Sequence, residues 1–277
     1  MSARLRAIAR QTEEIVASGC YRGPGGGEVS IAAAVAAARS GTRLHGPGPV
    51  PAPVPSSVGT SFEVTGESSL EAARRLRSAG AGPVAVLNFA SARNPGGGYL
   101  NGAQAQEEAL CRASALYTCL LRARDFYDHH RAHRDAFSTD RVVHSPGVPV
   151  FRDDGGLLLD EPFTAGFLTA AAPNAGVVRR TAPERAARLP HALGVRAERV
   201  LETAAAHGYR RLVLGAWGCG VFRNDPAQVA GAFRGLLAGG RFDGVFEHVV
   251  FGVLDRTRDR ATYQAFAQVF AAEVRGA

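Results

Sequence analysis

Residues Val84 to Leu121 read VAVLNFASARNPGGGYLNGAQAQEEALCRASALYTCLL, and this stretch predicts the fold around it. Val84 to Phe89 is apolar almost throughout, which is typical of a strand buried on both faces. A loop with three consecutive glycines, Gly96 to Gly98, follows, and a helical pattern begins near Gln106. Glycines let backbone N–H groups approach a ligand closely, and a helix N-terminus adds unpaired N–H groups and positive charge. The order strand, glycine loop, helix therefore indicates an anionic, phosphate-bearing ligand.

Two adjacent carboxylates, Glu107 and Glu108, stand in the first turn of this predicted helix. An acid at such a position often only complements the helix dipole. Their place directly downstream of the glycines favours chemistry on the bound ligand. Neighbouring helical residues point about 100° apart, so the two acids should have different roles.

A second glycine-rich loop, Gly215 to Phe222 (GAWGCGVF), follows a predicted strand over Arg211 to Gly215. In open α/β sheets, ligands bind beyond the carboxyl ends of the strands, so the two loops could hold one ligand from two sides. The alternative is a pair of tight turns without a ligand. Within this loop, Phe222 could pack on a sugar or a base, or be an ordinary core residue. Cys219 is more consistent with a small buried residue than with a nucleophile.

Strands and helices alternate along most of the chain, which predicts an α/β sandwich with a central sheet covered by helices on both faces. The N-terminal segment has helical spacing over Arg4 to Ala17, with Gly19 as its stop. The glycine-rich stretch at 23–27 is expected to be a flexible loop, and the Pro-rich stretch from His45 to Ser57 an extended linker. We therefore expect an N-terminal accessory segment over residues 1–58 and a main domain over residues 59–277. In the main domain, strands are predicted at 60–65, 84–89, 141–144, 148–151, 163–171, 211–215 and 248–254. A Ser-Pro-Gly turn is predicted at 145–147. Helices are predicted from 68, from 107, at 183–207, at 226–237 and at 261–274.

Net charge and cysteine content indicate which partners and which cellular compartment to expect. The net charge is +7 and the isoelectric point about 9.8, which favours an anionic partner, although an Arg-rich composition alone would give the same value. Four cysteines without CxxC spacing are expected to be reduced and mostly buried, in a cytoplasmic protein. No apolar run is long enough to predict a transmembrane helix, and the N-terminus has no apolar signal core.

Two further sequence patterns argue against a metal site and against a serine nucleophile. His129, His130 and His133 form HHRAH, which lacks the Glu of HExxH and is expected to be a solvated helix face, so no metal site is predicted. No GxSxG motif provides a serine nucleophile. Four residues flank the two loops: Arg93, Asn94, Arg223 and Asn224. They could contact phosphate or hydroxyl groups of a ligand, but they are expected to be solvated loop residues.

The run Asn88-Phe-Ala-Ser91, then Pro95 to Gly98, seven residues, and Gln106-Glu-Glu108 resembles the signature of poly(ADP-ribose) glycohydrolases, closest to the compact bacterial type. Gly218 to Phe222 resembles the diphosphate-binding loop of that family. The N-terminal helix and the region of Tyr21 resemble the accessory segment of the bacterial type. The resemblance implies a macrodomain-like three-layer α/β/α sandwich with a mixed central sheet and an N-terminal helical extension.

What the resemblance implies for function is a hydrolase that cleaves ribose–ribose O-glycosidic bonds of poly(ADP-ribose) and releases ADP-ribose, needing neither cofactor nor metal. Glu108 matches the catalytic acid, and Glu107 matches the residue that binds ribose hydroxyls. The other matching positions are expected to bind substrate: Gly96, Gly97, Gly98, Gln106, Gly218, Cys219, Gly220, Val221 and Phe222. The expected partners are poly(ADP-ribose) and ADP-ribosylated proteins, without a membrane and without a need for nucleic acid.

The substrate-clasping hairpin of the larger animal enzymes has no counterpart in the sequence, and we expect cleavage from the terminal unit of the polymer. Two alternatives stay open. One is an enzyme that removes single ADP-ribose units from protein or DNA, and the other is a non-catalytic ADP-ribose reader. A reader does not need paired acids, so Glu107 and Glu108 disfavour it.

Overall fold

The computed structural model describes residues 2–51, 59–80 and 82–274. A seven-stranded sheet stands at its centre, in the order β3-β6-β7-β5-β8-β9-β4, and a two-stranded hairpin, β1-β2, lies apart from it. The strands are β1 (Cys20–Arg22), β2 (Glu28–Ser30), β3 (Arg43–His45), β4 (Ser61–Thr65), β5 (Val84–Phe89), β6 (Val142–Arg152), β7 (Leu158–Ala170), β8 (Arg211–Gly215) and β9 (His248–Gly252).

Helices connect and cover these strands. They are α1 (Ala3–Ser18), α2 (Ala32–Gly41), α3 (Ser69–Ser78), α4 (Gln106–Ala113), α5 (Leu116–Leu120), α6 (Arg124–Ala132), α7 (Ala175–Thr181), α8 (Leu189–Ala206), α9 (Pro226–Leu237), α10 (Ala261–Val269) and α11 (Ala271–Val274), with 3₁₀-helices at Tyr99–Asn101 and Pro183–Arg188. The local sequence explains where several of these helices begin or end. Ser68 and Glu71 form the predicted capping box of α3, and Gly19 ends α1 with a φ of 76°.

The sheet is mixed, and a hydrophobic core lies on each face. β5 is parallel to β7 and β8, whereas β6 is antiparallel to β7. Along β5, Val84 and Val86 belong to one core cluster, and Ala85 and Leu87 belong to the other. Successive side chains of a strand point to opposite faces, so a continuous apolar run is what a sheet covered on both faces requires. The predicted three-layer sandwich with a mixed sheet is confirmed.

The N-terminal segment shares its core with the rest of the chain. Ala9 of α1 and Val35 of α2 lie in the same cluster as Val84, and β3 pairs with β6 in the main sheet. The described residues on the two sides of the predicted division between 1–58 and 59–277 therefore share one core and one sheet. Residues 52–58 of the predicted Pro-rich linker lie outside the described residues.

The structure differs from the sequence predictions in several elements, among them strand β3, which was not predicted. Ser145 to Gly147 is not a turn but a bulge inside β6, where a register shift between Ser145 and Val148 accommodates Pro146. Residues 23–27 form the turn of the β1-β2 hairpin, whose strands the sequence analysis missed. Helix α7 was also missed, because Ala175–Thr181 is too short for helical periodicity to show.

The histidine-rich stretch is a helix face only in part. His129 and His133 stack on each other at 4.2 Å between ring centroids, and His133 is exposed. His130 is only 2% exposed, with Nδ1 2.7 Å from the carbonyl oxygen of Phe126 and Nε2 3.1 Å from the backbone nitrogen of Thr139. The expectation that all three are solvated is wrong for His130, because it lies on the inward side of α6.

Candidate active site

Both glycine-rich loops open into one cavity. Strands β5 and β8 are parallel neighbours, so their carboxyl ends, Phe89 and Gly215, meet at the same edge of the sheet. The cavity at this edge has a volume of about 1320 Å³, and its lining includes Gly97, Gly98, both predicted acids and the whole loop from Gly218 to Phe222. The tertiary structure thus brings together two loops that are 120 residues apart, counting from Gly98 to Gly218.

Glu107 is the deeper of the two acids, at 3% exposed. Its Oε2 accepts a hydrogen bond from the backbone N–H of Ser91 at 2.7 Å, and its Oε1 accepts one from Asn88 Nδ2 at 3.3 Å. Burial raises the pKa of Glu107 to about 8, and the neighbouring charge of Glu108 adds to this shift. Glu107 therefore keeps its proton at neutral pH in the free protein.

Glu108 connects the glycine loop to the first turn of α4. Its Oε1 accepts the N–H of Gly98 at 2.8 Å, and its Oε2 accepts the N–H of Ala105 at 3.1 Å. The second contact is one half of a capping box, which satisfies an N–H group at the start of the helix. Glu108 therefore stabilises the first turn of the helix, which is the structural role considered for it in the sequence analysis. The same residue also lines the cavity.

Gly97 is the point at which both acids converge. Its φ is +59°, a conformation that a residue with a side chain rarely adopts. A Cβ atom at this position would overlap with Glu108 Oε1 and lie 3.2 Å from Glu107 Oε2. Only glycine leaves room for two carboxyl groups against the same stretch of backbone.

Gln106 holds α4 against the sheet. Its Oε1 accepts the N–H of Phe89 at 2.9 Å, and its Nε2 donates to the carbonyl oxygen of Leu87 at 2.8 Å and to Ser69 Oγ at 3.1 Å. The side-chain amide thus links the ends of β5, α3 and α4. It determines where Glu107 and Glu108 stand relative to the end of the strand.

The residues of the second loop, from Gly218 to Phe222, line the cavity. Within the described part of the chain, the N–H groups of Gly218, Gly220, Val221 and Phe222 donate no hydrogen bond. Val221 is 84% exposed, and Gly218 has a φ of +71°. Successive free N–H groups in such a turn form an anion-binding concavity.

Asn224 supports this loop from behind. It is only 3% exposed, and its Nδ2 donates to the carbonyl oxygens of Pro173, at 2.8 Å, and of Gly218, at 3.2 Å. The expectation of a solvated Asn224 is wrong, because the loop folds back over the amide. Arg93, Asn94 and Arg223 are exposed, as expected.

Cys219 and Phe222 both line the cavity and are partly buried. Burial raises the pKa of the Cys219 thiol to about 12, so it is not a thiolate nucleophile at neutral pH. Phe222 packs on the core cluster of its face of the sheet and also borders the cavity, so both sequence interpretations of this residue describe part of its environment. All four cysteines are free.

Sequence reasoning missed the contacts of α1 with the first glycine-rich loop and with α4. The hydroxyl of Tyr99, which directly follows Gly98, lies 2.9 Å from Glu13 Oε1 and 3.1 Å from the carbonyl oxygen of Ala9. Thr12 Oγ1 donates to the carbonyl oxygen of Arg112 in α4 at 2.8 Å. These contacts join residues about 90 to 100 positions apart, and no local signal in a single sequence encodes them.

Across the described ranges 2–51, 59–80 and 82–274, no group of three or more His, Cys, Asp or Glu residues could hold a metal ion. Among the same residues, no helix is both long and apolar enough to cross a membrane.

Comparison with known proteins identifies close relatives. The family model for the catalytic domain of microbial-type PARG matches residues 9–153. The crystal structure of poly(ADP-ribose) glycohydrolase from Thermomonospora curvata is 48% identical, with a TM-score of 0.92, over 97% of this chain and 100% of that one. The same enzyme bound to the inhibitor ADP-HPD is 49% identical, with a TM-score of 0.88, over 96% of this chain and 99% of that one.

A third similar structure is poly(ADP-ribose) glycohydrolase from Deinococcus radiodurans in complex with ADP-ribose. It is 47% identical, with a TM-score of 0.78, over 85% of this chain and 96% of that one. None of the curated proteins matches the chain.

Proposed function

The chain belongs to the microbial-type family of poly(ADP-ribose) glycohydrolases, and we propose that it cleaves the polymer from its terminal unit with Glu108 as the catalytic acid. It is an enzyme with the macrodomain-like fold of that family, and it hydrolyses the ribose–ribose O-glycosidic bonds of poly(ADP-ribose). The observation that carries the proposed mechanism is the convergence of two carboxyl groups on Gly97, in a cavity also lined by a loop whose four N–H groups have no partner among the described residues.

The order of strands at the sheet edge supports one orientation of the substrate. The acids follow β5, the free N–H groups follow β8, and β9 is next in the sheet. If the diphosphate binds the N–H groups after β8, the ribose with the scissile bond lies over β5. The adenosine of the same unit then extends toward the end of β9.

Glu108 donates its proton to the leaving oxygen as the bond from that oxygen to the anomeric carbon breaks. The sugar passes through an oxocarbenium-like state. A water molecule then forms the new bond to the anomeric carbon and gives its proton back to Glu108. Because the two acids lie side by side, they cannot stand on opposite faces of the sugar, so the diphosphate of the substrate helps to position the water.

Glu107 binds the ribose hydroxyl groups. Burial raises the pKa of Glu107 to about 8, so this carboxyl group is protonated at neutral pH and can donate a hydrogen bond to a hydroxyl oxygen. Gly96, Gly98 and Gln106 hold the acids in place. Gly218, Cys219, Gly220 and Val221 bind the diphosphate, and Phe222 orients the ribose.

Cleavage from the terminal unit is supported by the loop after β9, which lines the cavity on the side proposed for the adenosine. Asp255 in this loop accepts hydrogen bonds from the N–H and the hydroxyl of Thr257 at 3.0 and 2.6 Å, and from the N–H of Thr262 at 2.9 Å. Asp255 and Thr262 also line the cavity. A polymer that continued past the bound adenosine would have to cross this fixed loop.

The proposed function includes the conditions, the compartment and the substrates of the reaction. Hydrolysis proceeds without a metal or a cofactor, in the cytoplasm, on poly(ADP-ribose) and on ADP-ribosylated proteins, with residues 1–58 as an accessory segment of the catalytic domain. A reduced compartment is supported by the four free cysteines.

The test is incubation of the protein with poly(ADP-ribose) of defined length, with and without a chelator. We expect free ADP-ribose to be the first product released, and we expect the rate of its release to be unchanged by the chelator. Release of oligomers at early times would reject cleavage from the terminal unit, and loss of activity with chelator would reject the metal-free mechanism.

A further inference from the structure

Pairs of arginines lie beside both glycine-rich loops. Next to the first loop, Nη1 of Arg131 in α6 donates to the carbonyl oxygen of Arg93 at 2.6 Å. Next to the second loop, Nη1 of Arg179 in α7 donates to the carbonyl oxygen of Arg223 at 2.9 Å. All four residues are exposed, and none of them is among the described residues that line the cavity. We call these four residues the arginine rim.

The elements that carry the two arginine pairs meet at the end of β7. The carbonyl oxygen of Ala170, the last residue of β7, accepts the N–H of Ala90 at 3.2 Å and Nε1–H of Trp217 at 3.0 Å, so the segments leading into both loops contact it. Four residues further on, the N–H of Asn174 donates to the carbonyl oxygen of Ala136 at 2.7 Å. This contact joins the segment after α6 to the start of α7. The arginine rim is therefore carried by elements that touch one another around the end of β7.

Positive charge in this part of the surface is mostly not balanced by acids. The stretch from Ala175 to Arg188, which contains α7 and the 3₁₀-helix after it, has four arginines and one acid, Glu184. Of the arginine rim, only Arg131 forms an ion pair within the described part of the chain, with Asp128. Neighbouring like charges repel each other, and they raise the local concentration of a ligand of opposite charge. The surface therefore suits a polyanion.

The position of Arg223 is fixed by its neighbours. Its φ is +56°, a conformation that residues with a side chain rarely adopt. Its N–H donates to the carbonyl oxygen of Gly220 at 3.0 Å, and its own carbonyl oxygen accepts from Arg179. A Cβ atom on Gly176 would lie 3.2 Å from Cδ of Arg223, so the aliphatic part of this side chain packs against α7. Uncommon backbone conformations of this kind cluster at functional sites.

The proposed orientation of the substrate brings the rest of the polymer to this surface. With the diphosphate of the terminal unit at β8 and the scissile bond over β5, the remaining units leave the cavity in the direction away from β8. Strand β7 is the neighbour of β5 on that side. Each remaining unit carries another diphosphate, and the planar guanidinium group of arginine binds phosphate oxygens through two parallel hydrogen bonds.

We propose that the arginine rim binds the diphosphate groups of the polymer units that follow the terminal unit, outside the cavity. This inference rests on the proposed function for the identity of the polymer. A nucleic acid also presents phosphates, but the polymer is favoured because its remaining units are joined to the unit that the two loops hold. The rim then contributes to the affinity for poly(ADP-ribose) and not to the affinity for free ADP-ribose.

The experiment removes two charges of the rim in the double variant Arg93→Gln, Arg223→Asn, since asparagine tolerates a positive φ. Binding of labelled poly(ADP-ribose) is measured by fluorescence anisotropy in the Glu108→Gln background, which prevents turnover. We expect Kd for the polymer to rise about tenfold at low salt, and the slope of log Kd against log salt concentration to fall by about 0.7 for each lost phosphate contact. Kd for free ADP-ribose, measured by calorimetry, should change by less than about twofold.

Arg10→Gln with Arg74→Gln is the matched control, because it removes the same charge from exposed positions of α1 and α3. Arg93→Lys with Arg223→Lys keeps the charge and should retain most of the affinity for the polymer. An unchanged Kd for the polymer, an equal loss in the control, or an equal loss of affinity for free ADP-ribose would overturn the proposal.

Single-stranded DNA with the same number of phosphates serves as a competitor, and we expect it to bind more weakly than the polymer. Tighter binding of the DNA, lost in the rim variant, would overturn the assignment to the polymer and identify a nucleic-acid surface. Release of ADP-ribose is measured separately on the unmodified protein. Its absence would reject the proposed function, whereas the binding measurements decide on the arginine rim.

Discussion

The two glycine-rich loops follow neighbouring parallel strands and border the same cavity, yet their backbones are used in different ways. In the first loop, the N–H of Gly98 is already bonded to Glu108, and the N–H of Gly97 to the carbonyl oxygen of Asn94. In the second loop, four N–H groups donate no hydrogen bond within the described residues. The first loop therefore holds the carboxyl group of Glu108, and the N–H groups of the second loop remain available for a ligand.

The difference follows from what each loop packs against. Helix α4 begins eight residues after Gly98 and brings two acids back onto the loop, so its N–H groups have partners inside the protein. The second loop is held by Asn224, whose Nδ2 donates to the carbonyl oxygen of Gly218, and no acid of the described residues folds back onto its four N–H groups. Variants in each loop should therefore separate catalysis from binding.

The largest effect is expected for Glu108→Gln. An amide cannot supply the proton, and loss of general acid catalysis costs about 10²–10⁴-fold in rate. Turnover of poly(ADP-ribose) should fall by at least that factor, while ADP-ribose binding measured by calorimetry stays nearly intact. Glu14→Gln, at an exposed position of α1, is the control. A Glu108→Gln variant that releases ADP-ribose at the normal rate would contradict the role of Glu108.

Gly97→Ala tests the first loop. The Cβ atom would push the acids apart and would sit at a φ of +59°, a strain of about 1–2 kcal/mol. We expect kcat to fall about 100-fold or more, with a smaller loss of ADP-ribose affinity. The measurements are steady-state kinetics and calorimetry. A kcat equal to that of the unmodified protein would show that the acids do not depend on this backbone.

Gly218→Ala tests the second loop. A Cβ atom would lie 2.7 Å from the Cβ of Ala172, and φ is +71°, so the loop must shift and its N–H groups lose their alignment. We expect ADP-ribose to bind about tenfold more weakly. Gly27→Ala, where nothing lies within 4 Å of the added atom, is the control. Unchanged affinity would remove the second loop from diphosphate binding.

A smaller, pH-dependent effect is expected for Glu107→Gln. Because burial raises the pKa of Glu107 from its ordinary 4.5 to about 8, the folded protein binds this proton more tightly than the unfolded chain does. Stability is therefore lost as pH rises from about 4.5 to about 8 and changes no further above that value for this group. Urea unfolding across this range should show a steeper fall for the unmodified protein than for Glu107→Gln. Parallel curves would mean that Glu107 titrates normally.

The smallest effect is expected for Tyr99→Phe, which removes the contacts of the Tyr99 hydroxyl with Glu13 and the carbonyl oxygen of Ala9. A buried hydrogen bond contributes about 0.5–1.5 kcal/mol, so the free energy of unfolding should fall by that amount. Tyr263→Phe is the control, since its hydroxyl lies 3.3 Å from the carbonyl oxygen of Val64 at a partly exposed site. Equal losses in both variants would show that the contact between α1 and the first glycine-rich loop contributes no more to stability than a hydrogen bond at a partly exposed site.

Much of the candidate site could be predicted because its signals are local. Val84 to Phe89 is apolar on both faces, and Gly96 to Gly98 with Gln106 to Glu108 form a compact motif, so strand, loop and acids could be identified without a fold. Pro146 is the contrary case. A Ser-Pro-Gly sequence favours a turn, but pairing of β6 with β7 on both sides of it makes a bulge the better solution.

The sequence by itself determined the three-layer architecture, the two loops and the identity of the acids, because apolar periodicity, glycine and charge act within a few residues of each other. Only the tertiary structure decided which acid is more deeply buried, which loop has free N–H groups, and that α1 closes one side of the cavity. Each of these depends on groups that are far apart in the chain and meet only when the two faces of the sheet are covered, since desolvation and hydrogen bonding are properties of the packed neighbourhood.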